Sequence, residues 1–160
     1  MTLKRGVKKI TERKNWIKLI VMLILPFGIS VTFFNSSLFD LQRIEALGTD
    51  FHYNTISMSV TIGGFLFTGI SILISTIDKD RIKRLWDNNY LNNLYRAAIV
   101  GVISNVVSIV SAFFLMILEL EDAIKVKLIY VEITSILIGI VFFCWCVKQL
   151  VSVVGKLKNH

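Results

Sequence analysis

Four long apolar stretches constrain this chain more than any other feature of its sequence. They cover residues 16–34, 56–77, 97–118 and 128–150, and each is about 20 residues long, which as a helix crosses the roughly 30 Å hydrocarbon core of a bilayer. With 54% hydrophobic and 18% charged residues, little sequence remains for a soluble domain. We therefore predict an all-α integral membrane protein: a single domain, residues 1–160, forming a bundle of four transmembrane helices.

Basic residues are unevenly distributed among the segments that flank these stretches. Fifteen of the 18 lysines and arginines lie in the N-terminal segment, in the loop at 78–96 or near the C-terminal end. Because Lys- and Arg-rich short loops stay in the cytoplasm, we predict that both termini are cytoplasmic and that the chain lies in the cell inner (plasma) membrane. The net charge of +7 then reflects topology and attraction to anionic inner-leaflet lipid, and no direct binding of nucleic acid is expected.

The second stretch carries small and hydroxyl-bearing residues at helical spacing. Alternating steps of four and three place six of them on one helix face: Ser57, Thr61, Gly64, Thr68, Ser71 and Ser75. Small residues let another helix approach closely, and their hydroxyls can bond across the contact. We expect this stripe to pack against the third stretch in an antiparallel hairpin. The alternative is that part of it lines a water-filled path.

The third stretch repeats the pattern with Gly101, Ser104, Ser108 and Ser111, and the same two interpretations apply to it. Asn105 lies beside this stripe, about two turns inside the stretch. Because an amide in hydrocarbon needs partners, we expect it to face protein rather than lipid. An interhelical hydrogen bond is the expected role, and a ligand or ion contact is the alternative.

Glu132 is the acidic residue within the fourth stretch, and Ser135 and Gly139 continue its helical face. An ionisable residue inside a span is a candidate functional group by default. In a homo-oligomer, a ring of Glu132 carboxylates would favour cations at a pore mouth. Alternatively, Glu132 lies at headgroup depth and pairs with Lys125 or a neighbouring hydroxyl.

Pro26 lies near the middle of the first stretch, two residues before Gly28. Proline removes a helical hydrogen bond and crowds the preceding turn, so a kink is expected there. That kink is either a hinge or a static bend.

The predicted cytoplasmic loop at 78–96 mixes basic, aromatic and aliphatic side chains. Its candidate lipid or partner contacts are Arg81, Lys83, Arg84 and Trp86. Such a segment is typical of a short helix at the inner headgroup layer. The alternative is a docking surface for a cytosolic protein, since exposed aromatic and arginine residues are common anchors.

Motifs for enzyme chemistry are not found in the sequence. His52 and His160 are predicted on opposite sides of the membrane, and Cys144 and Cys146 are too closely spaced for a C-x-x-C motif. No nucleotide-binding, hydrolase or metalloprotease pattern occurs. We therefore predict no enzyme activity, no catalytic residues, no cofactor and no metal.

The small extramembrane mass limits the functions that this chain can perform. The leading prediction is a homo-oligomeric membrane protein that alters permeability, as a channel or as a membrane-perturbing effector. By analogy of architecture alone, bacterial antiphage defence is one setting for such a protein. The alternative is a non-conducting sensor or scaffold that recruits a cytosolic partner through 78–96. A third possibility is a small transporter subunit that must dimerise to build a midplane site.

Overall fold

The computed structural model describes Ile17 and residues 20–32, 41–76 and 90–158, and all regular structure within them is α-helical. We number the four helices α1, α2, α3 and α4; they cover Ile20–Thr32, Leu41–Thr76, Tyr90–Ile117 and Asp122–Lys158. The last three each contain a segment long and apolar enough to cross a membrane, and α1 is a shorter apolar helix. The all-helical fold is thus confirmed for the described residues, and three of the four predicted spans coincide with helices long and apolar enough to cross a membrane; a crossing by α1 remains a prediction.

The helices extend beyond the apolar stretches. Helix α2 already begins at Leu41 and α3 at Tyr90, so much of the expected first loop, and the end of the expected loop at 78–96, are helical. Hydropathy identifies only the part of a helix that is suited to hydrocarbon. The helical hydrogen bonding of the backbone continues into the polar residues on either side. The four candidate contact residues between Arg81 and Trp86 lie outside the described residues.

Helix α2 is interrupted at Gly48. This residue has φ 59° and ψ −151°, a combination that is essentially restricted to glycine because a side chain would collide with the backbone. The break separates the segment at 41–47 from the candidate span Gly48–Ile72.

Helices α3 and α4 form an antiparallel hairpin. Only residues 118–121 separate them, and their contact is the most extensive in the bundle; α2 packs against both. We call the end at residues 118–121 the hairpin end. Helix α1 joins α4 through a hydrogen bond between the hydroxyls of Ser30 and Thr134, and through an edge-to-face contact of Phe27 with Tyr130.

The buried side chains differ in chemistry along the bundle. In the half near the hairpin end most are polar: Ser30, His52, Thr55, Ser59, Asn105, Ser108, Ser111, Glu132, Thr134 and Ser135. In the other half they form an apolar cluster: Leu66, Leu94, Ala97, Ala98, Phe142 and Cys146. Membrane helices with a polar interior and an apolar exterior need to associate, since polar groups in hydrocarbon require partners.

Candidate functional site

The polar half is centred on a histidine–glutamate pair. Nδ1 of His52 lies 2.8 Å from Oε2 of Glu132; Glu132 is completely buried and His52 is 7% exposed. The ring of Phe51 meets the His52 ring edge-on, with centroids 5.5 Å apart. Among the described residues, these two are the only buried side chains of the Asp, Glu, His, Lys or Arg type. Such a pair inside a membrane bundle is a candidate functional centre.

The topology explains how the pair forms. The span of α2 and helix α4 both begin at the hairpin end, so the first turns of the two helices lie at the same level. Gly69 of α2 and Leu150 of α4 also meet, near the opposite end, which shows that α2 and α4 run in the same direction. His52 and Glu132 each lie early in their helix and therefore face each other.

Hydroxyl groups hold the other helices around this pair. Oγ of Ser108, on α3, donates to the backbone carbonyl of Glu132 at 3.3 Å. The Ser30–Thr134 hydrogen bond attaches α1 to α4 two residues beyond Glu132. The second carboxylate oxygen of Glu132, Oε1, is buried and has no hydrogen-bond partner among the described residues.

Asn105 lies further from the hairpin end than the pair, on α3 between Gly63 of α2 and Gly139 of α4. Its Nδ2 donates to the carbonyl of Gly101 at 2.7 Å, whereas its Oδ1 has no partner in the described part of the chain. A Cβ atom added to Gly139 would lie 2.6 Å from Nδ2 of Asn105, and one added to Gly63 would lie 3.8 Å from its Cβ. The two glycines therefore leave room for the amide between α2 and α4.

The stripe predicted on the second stretch faces away from the bundle. All six of its residues are exposed, and three hydroxyls, those of Thr61, Ser71 and Ser75, donate to carbonyls of α2 itself. The packed face of α2 instead carries Ser59 and Leu66. Helix α2 does pack on the helix of the third stretch, but through this other face and not through the stripe.

The stripe on the third stretch does face the bundle. Gly101, Ser108 and Ser111 are buried, as is Asn105. Ser104 is half-buried, and its hydroxyl donates to the carbonyl of Val100 at 2.9 Å. Gly101, Asn105 and Ser108 lie against α2 or α4, so this part of the stripe packs within one chain.

The structure gives Glu132 a partner that neither interpretation named. Its carboxylate bonds to His52 and is fully buried within the bundle. The carboxylate ring at a pore mouth and the position at headgroup depth both remain predictions. Ser135 and Gly139 are buried on the same face, as their spacing indicates.

Pro26 is a buried residue within a continuous helix, Ile20–Thr32. Gly28, two residues later, is exposed, and a Cβ added there would meet nothing within 4 Å. The hinge at Pro26 remains a prediction.

Sequence reasoning missed His52, Ser59 and the Ser30–Thr134 contact. Hydropathy begins the second span at Ile56 and so assigns His52 to a loop. A signal was nevertheless available: in an up-and-down bundle the second and fourth spans begin at the same membrane face. His52 lies four positions before the second stretch and Glu132 four positions after the fourth begins, so both belong near one level.

Comparisons with protein-family models, with curated proteins and with solved structures find no match. The class of the protein is therefore defined by its helices: an all-helical chain with three segments that can cross a membrane. Within the described residues, no group of three His, Cys, Asp or Glu side chains could hold a metal ion.

Proposed function

We propose that this chain is a small homo-oligomeric integral membrane protein that alters membrane permeability in a channel-like manner. In this proposal both termini and the loop at 78–96 are cytoplasmic, and the hairpin end faces outward. The observation that carries the proposal is the exposed polar stripe on α2, the six residues from Ser57 to Ser75. A membrane helix that met only lipid on this face would have no use for such a stripe.

The exposure of α2 supports an interface with a second copy. Only 17% of its apolar segment is buried, against 28% and 33% in α3 and α4. The stripe is bordered by the bulky Phe65 and Phe67, which are 64% and 70% exposed and suit contact with lipid. Small residues between bulky ones form a groove into which another helix fits closely. Several copies joined in this way bring their hydroxyl-bearing faces together around a shared axis, where a lumen can form.

Cysteine cross-linking tests the assembly. In a background with Cys144→Ser and Cys146→Ala, single cysteines replace Thr61 or Thr68 on the stripe, with Val60 and Phe67 as exposed controls on the neighbouring face. We expect disulfide-linked dimers at the two stripe positions and not at the controls. Equal cross-linking at all four positions, or none, would contradict the interface.

Ion flux into proteoliposomes tests the permeability change. We expect the wild-type chain to conduct and Thr68→Leu to lose most of the flux, because a branched side chain fills the groove. Phe67→Leu, a change on the lipid-facing surface, serves as the matched control and should conduct normally. An assembled, folded wild-type protein that conducts nothing under any trigger would favour the non-conducting scaffold instead.

A further inference from the structure

We propose that the polar half of each bundle is a proton path, leading from the hairpin end to Asn105, with the His52–Glu132 pair as its proton-exchanging group. We call the buried residues that form it the polar column: His52, Thr55, Ser59, Asn105, Ser108 and Glu132. The path lies inside one chain and does not depend on the association of copies.

Three unpartnered oxygen atoms support this path. Oε1 of Glu132, Oγ of Ser59 and Oδ1 of Asn105 are each buried, and none has a hydrogen-bond partner among the described residues. All three can accept hydrogen bonds, and a buried acceptor without a donor is unfavourable. The donors small enough to reach such atoms are water and its protonated form.

The three oxygen atoms lie at successive depths. Ser59 is seven residues beyond His52, which is about 10 Å along a helix. Asn105 contacts Gly63 and Gly139, and Gly63 is one turn beyond Ser59. The acceptors are therefore spaced along the bundle rather than gathered around one point, which suits stepwise transfer better than the coordination of an ion.

Close packing also favours the proton over larger cations. The backbone of Gly139 lies directly against the Asn105 amide, which leaves little space for a hydrated metal ion. At the pair, a proton delivered by a hydronium ion forms an O–H bond with a carboxylate oxygen of Glu132 and leaves a water molecule. Release to water reverses this step, and nothing is oxidised or reduced.

Among the described residues, His52 is the ionisable side chain that contacts Glu132. The other ionisable side chains near this end of the bundle are exposed or half-buried. Residues 20–32 of α1 and 101–117 of α3 contain no titratable side chain. On α2, Asp50 and Tyr53 are exposed; on α4, Asp122 and Lys127 are exposed, and Lys125 and Tyr130 are half-buried. The connection between α3 and α4 adds Glu119 and Glu121, which are also exposed. Proton exchange inside the column is therefore assigned to the pair.

An apolar layer closes the path beyond Asn105. A Cβ added to Gly101 would lie 2.8 Å from Cδ1 of Leu66 and 3.2 Å from Cβ of Phe142, so these three residues are in tight contact. Leu94, Ala97, Ala98 and Cys146 continue the apolar cluster beyond them. Hydrophobic constrictions of this kind exclude water and block conduction.

The proposal is tested by substituting residues of the apolar layer and measuring proton entry into vesicles. The full chain is placed in vesicles that contain a pH-sensitive dye, and proton entry is driven by a potassium diffusion potential. All variants carry Thr68→Leu, so that conduction between copies does not contribute. We expect Leu66→Ser, and independently Phe142→Ala, to raise proton entry severalfold. Phe67→Ser, at the adjacent exposed position, should not.

Removal of the pair should then suppress the leak. Adding Glu132→Gln to Leu66→Ser should return proton entry close to the starting rate, and His52→Ala should act in the same direction. Glu121→Gln, an exposed carboxylate at the hairpin end, is the matched control and should leave the leak unchanged. Circular dichroism and size-exclusion elution establish that each variant retains its fold.

Two results would overturn the proposal. Folded Leu66→Ser and Phe142→Ala variants that admit no more protons than their parent would show that no path reaches the apolar layer. A leak that persists unchanged after Glu132→Gln and His52→Ala would show that protons bypass the pair. Cross-linking through the α2 stripe is unaffected by either result, so the two proposals fail separately.

Discussion

Nδ1 of His52 lies 2.8 Å from Oε2 of Glu132, although 80 positions separate the two residues in the chain. This contact joins α2 to α4 at the hairpin end, at a point where both side chains are buried. Its energetic consequence follows from burial: a polar group that loses its partner inside the bundle cannot turn to water instead.

Removing one member of the pair should therefore cost more than removing both. We expect His52→Leu to lower the free energy of unfolding by about 3 kcal/mol, since it leaves the carboxylate unpaired. The double variant with Glu132→Leu should be less destabilised than His52→Leu alone, because no buried polar group is then left without a partner. Unfolding in mixed detergent, followed by circular dichroism, measures both, with Lys127→Met as an exposed control. Additive losses would show that the two residues do not interact.

Gly139→Ala should destabilise the bundle by about 1–3 kcal/mol, because the new methyl group overlaps the Asn105 amide and packed interiors resist added volume. The added Cβ would lie 2.6 Å from Nδ2 of Asn105. Gly64→Ala is the matched control, since a Cβ there meets nothing within 4 Å. The same unfolding assay compares the two variants. Equal stabilities would mean that Asn105 does not occupy the space beside Gly139.

Gly48→Ala should cost about 1–3 kcal/mol through the backbone alone, because the φ and ψ of this residue are strained for any side chain. No atom of the described residues lies within 4 Å of the added Cβ, so the cost is assigned to the backbone and not to steric contact with them. Gly28→Ala, at a helical position with equally open surroundings, should be neutral or slightly stabilising. A thermal unfolding scan in detergent distinguishes the two, and a neutral Gly48→Ala would argue for a regular helix at this position.

Cysteine labelling should show the hairpin end outside the cell. In the Cys144→Ser and Cys146→Ala background, we introduce Glu121→Cys at the hairpin end and Ser152→Cys near the other end of α4; both positions are exposed. A membrane-impermeant maleimide should label position 121 in intact cells, and position 152 only after permeabilisation. The reverse pattern would overturn the orientation expected from the basic residues.

Hydropathy and spacing predict a substantial part of this fold. The positions of three spanning helices follow from the apolar stretches, since lipid and a packed interior both require apolar side chains there. The burial of Asn105 and Glu132 follows from the cost of placing an amide or a carboxylate in hydrocarbon. These inferences need only the local sequence.

Hydropathy and spacing do not predict which side chains contact each other across the bundle. A heptad-like stripe defines a helix face but not what that face meets, so the residues from Ser57 to Ser75 suggested packing against the third stretch, which the exposed stripe does not make. Hydropathy also ends a span at the first polar residues, which excluded His52 although α2 begins well before it. To find a polar pair near helix ends, one must compare how far each residue lies from the membrane face at which its helix begins. Inspecting one apolar stretch at a time does not show this.

The division of the interior into a polar and an apolar half affects how the chain enters the membrane during synthesis. Glu132 is synthesised 80 residues after His52, so His52 lacks its hydrogen-bond partner until α4 has been made, although α3 already packs against α2. A chain that ends before α4 therefore leaves the buried histidine without the carboxylate that pairs with it. Because a polar group without a partner in hydrocarbon is unfavourable, we expect a chain that lacks α4 to be less stable in a membrane than the complete bundle.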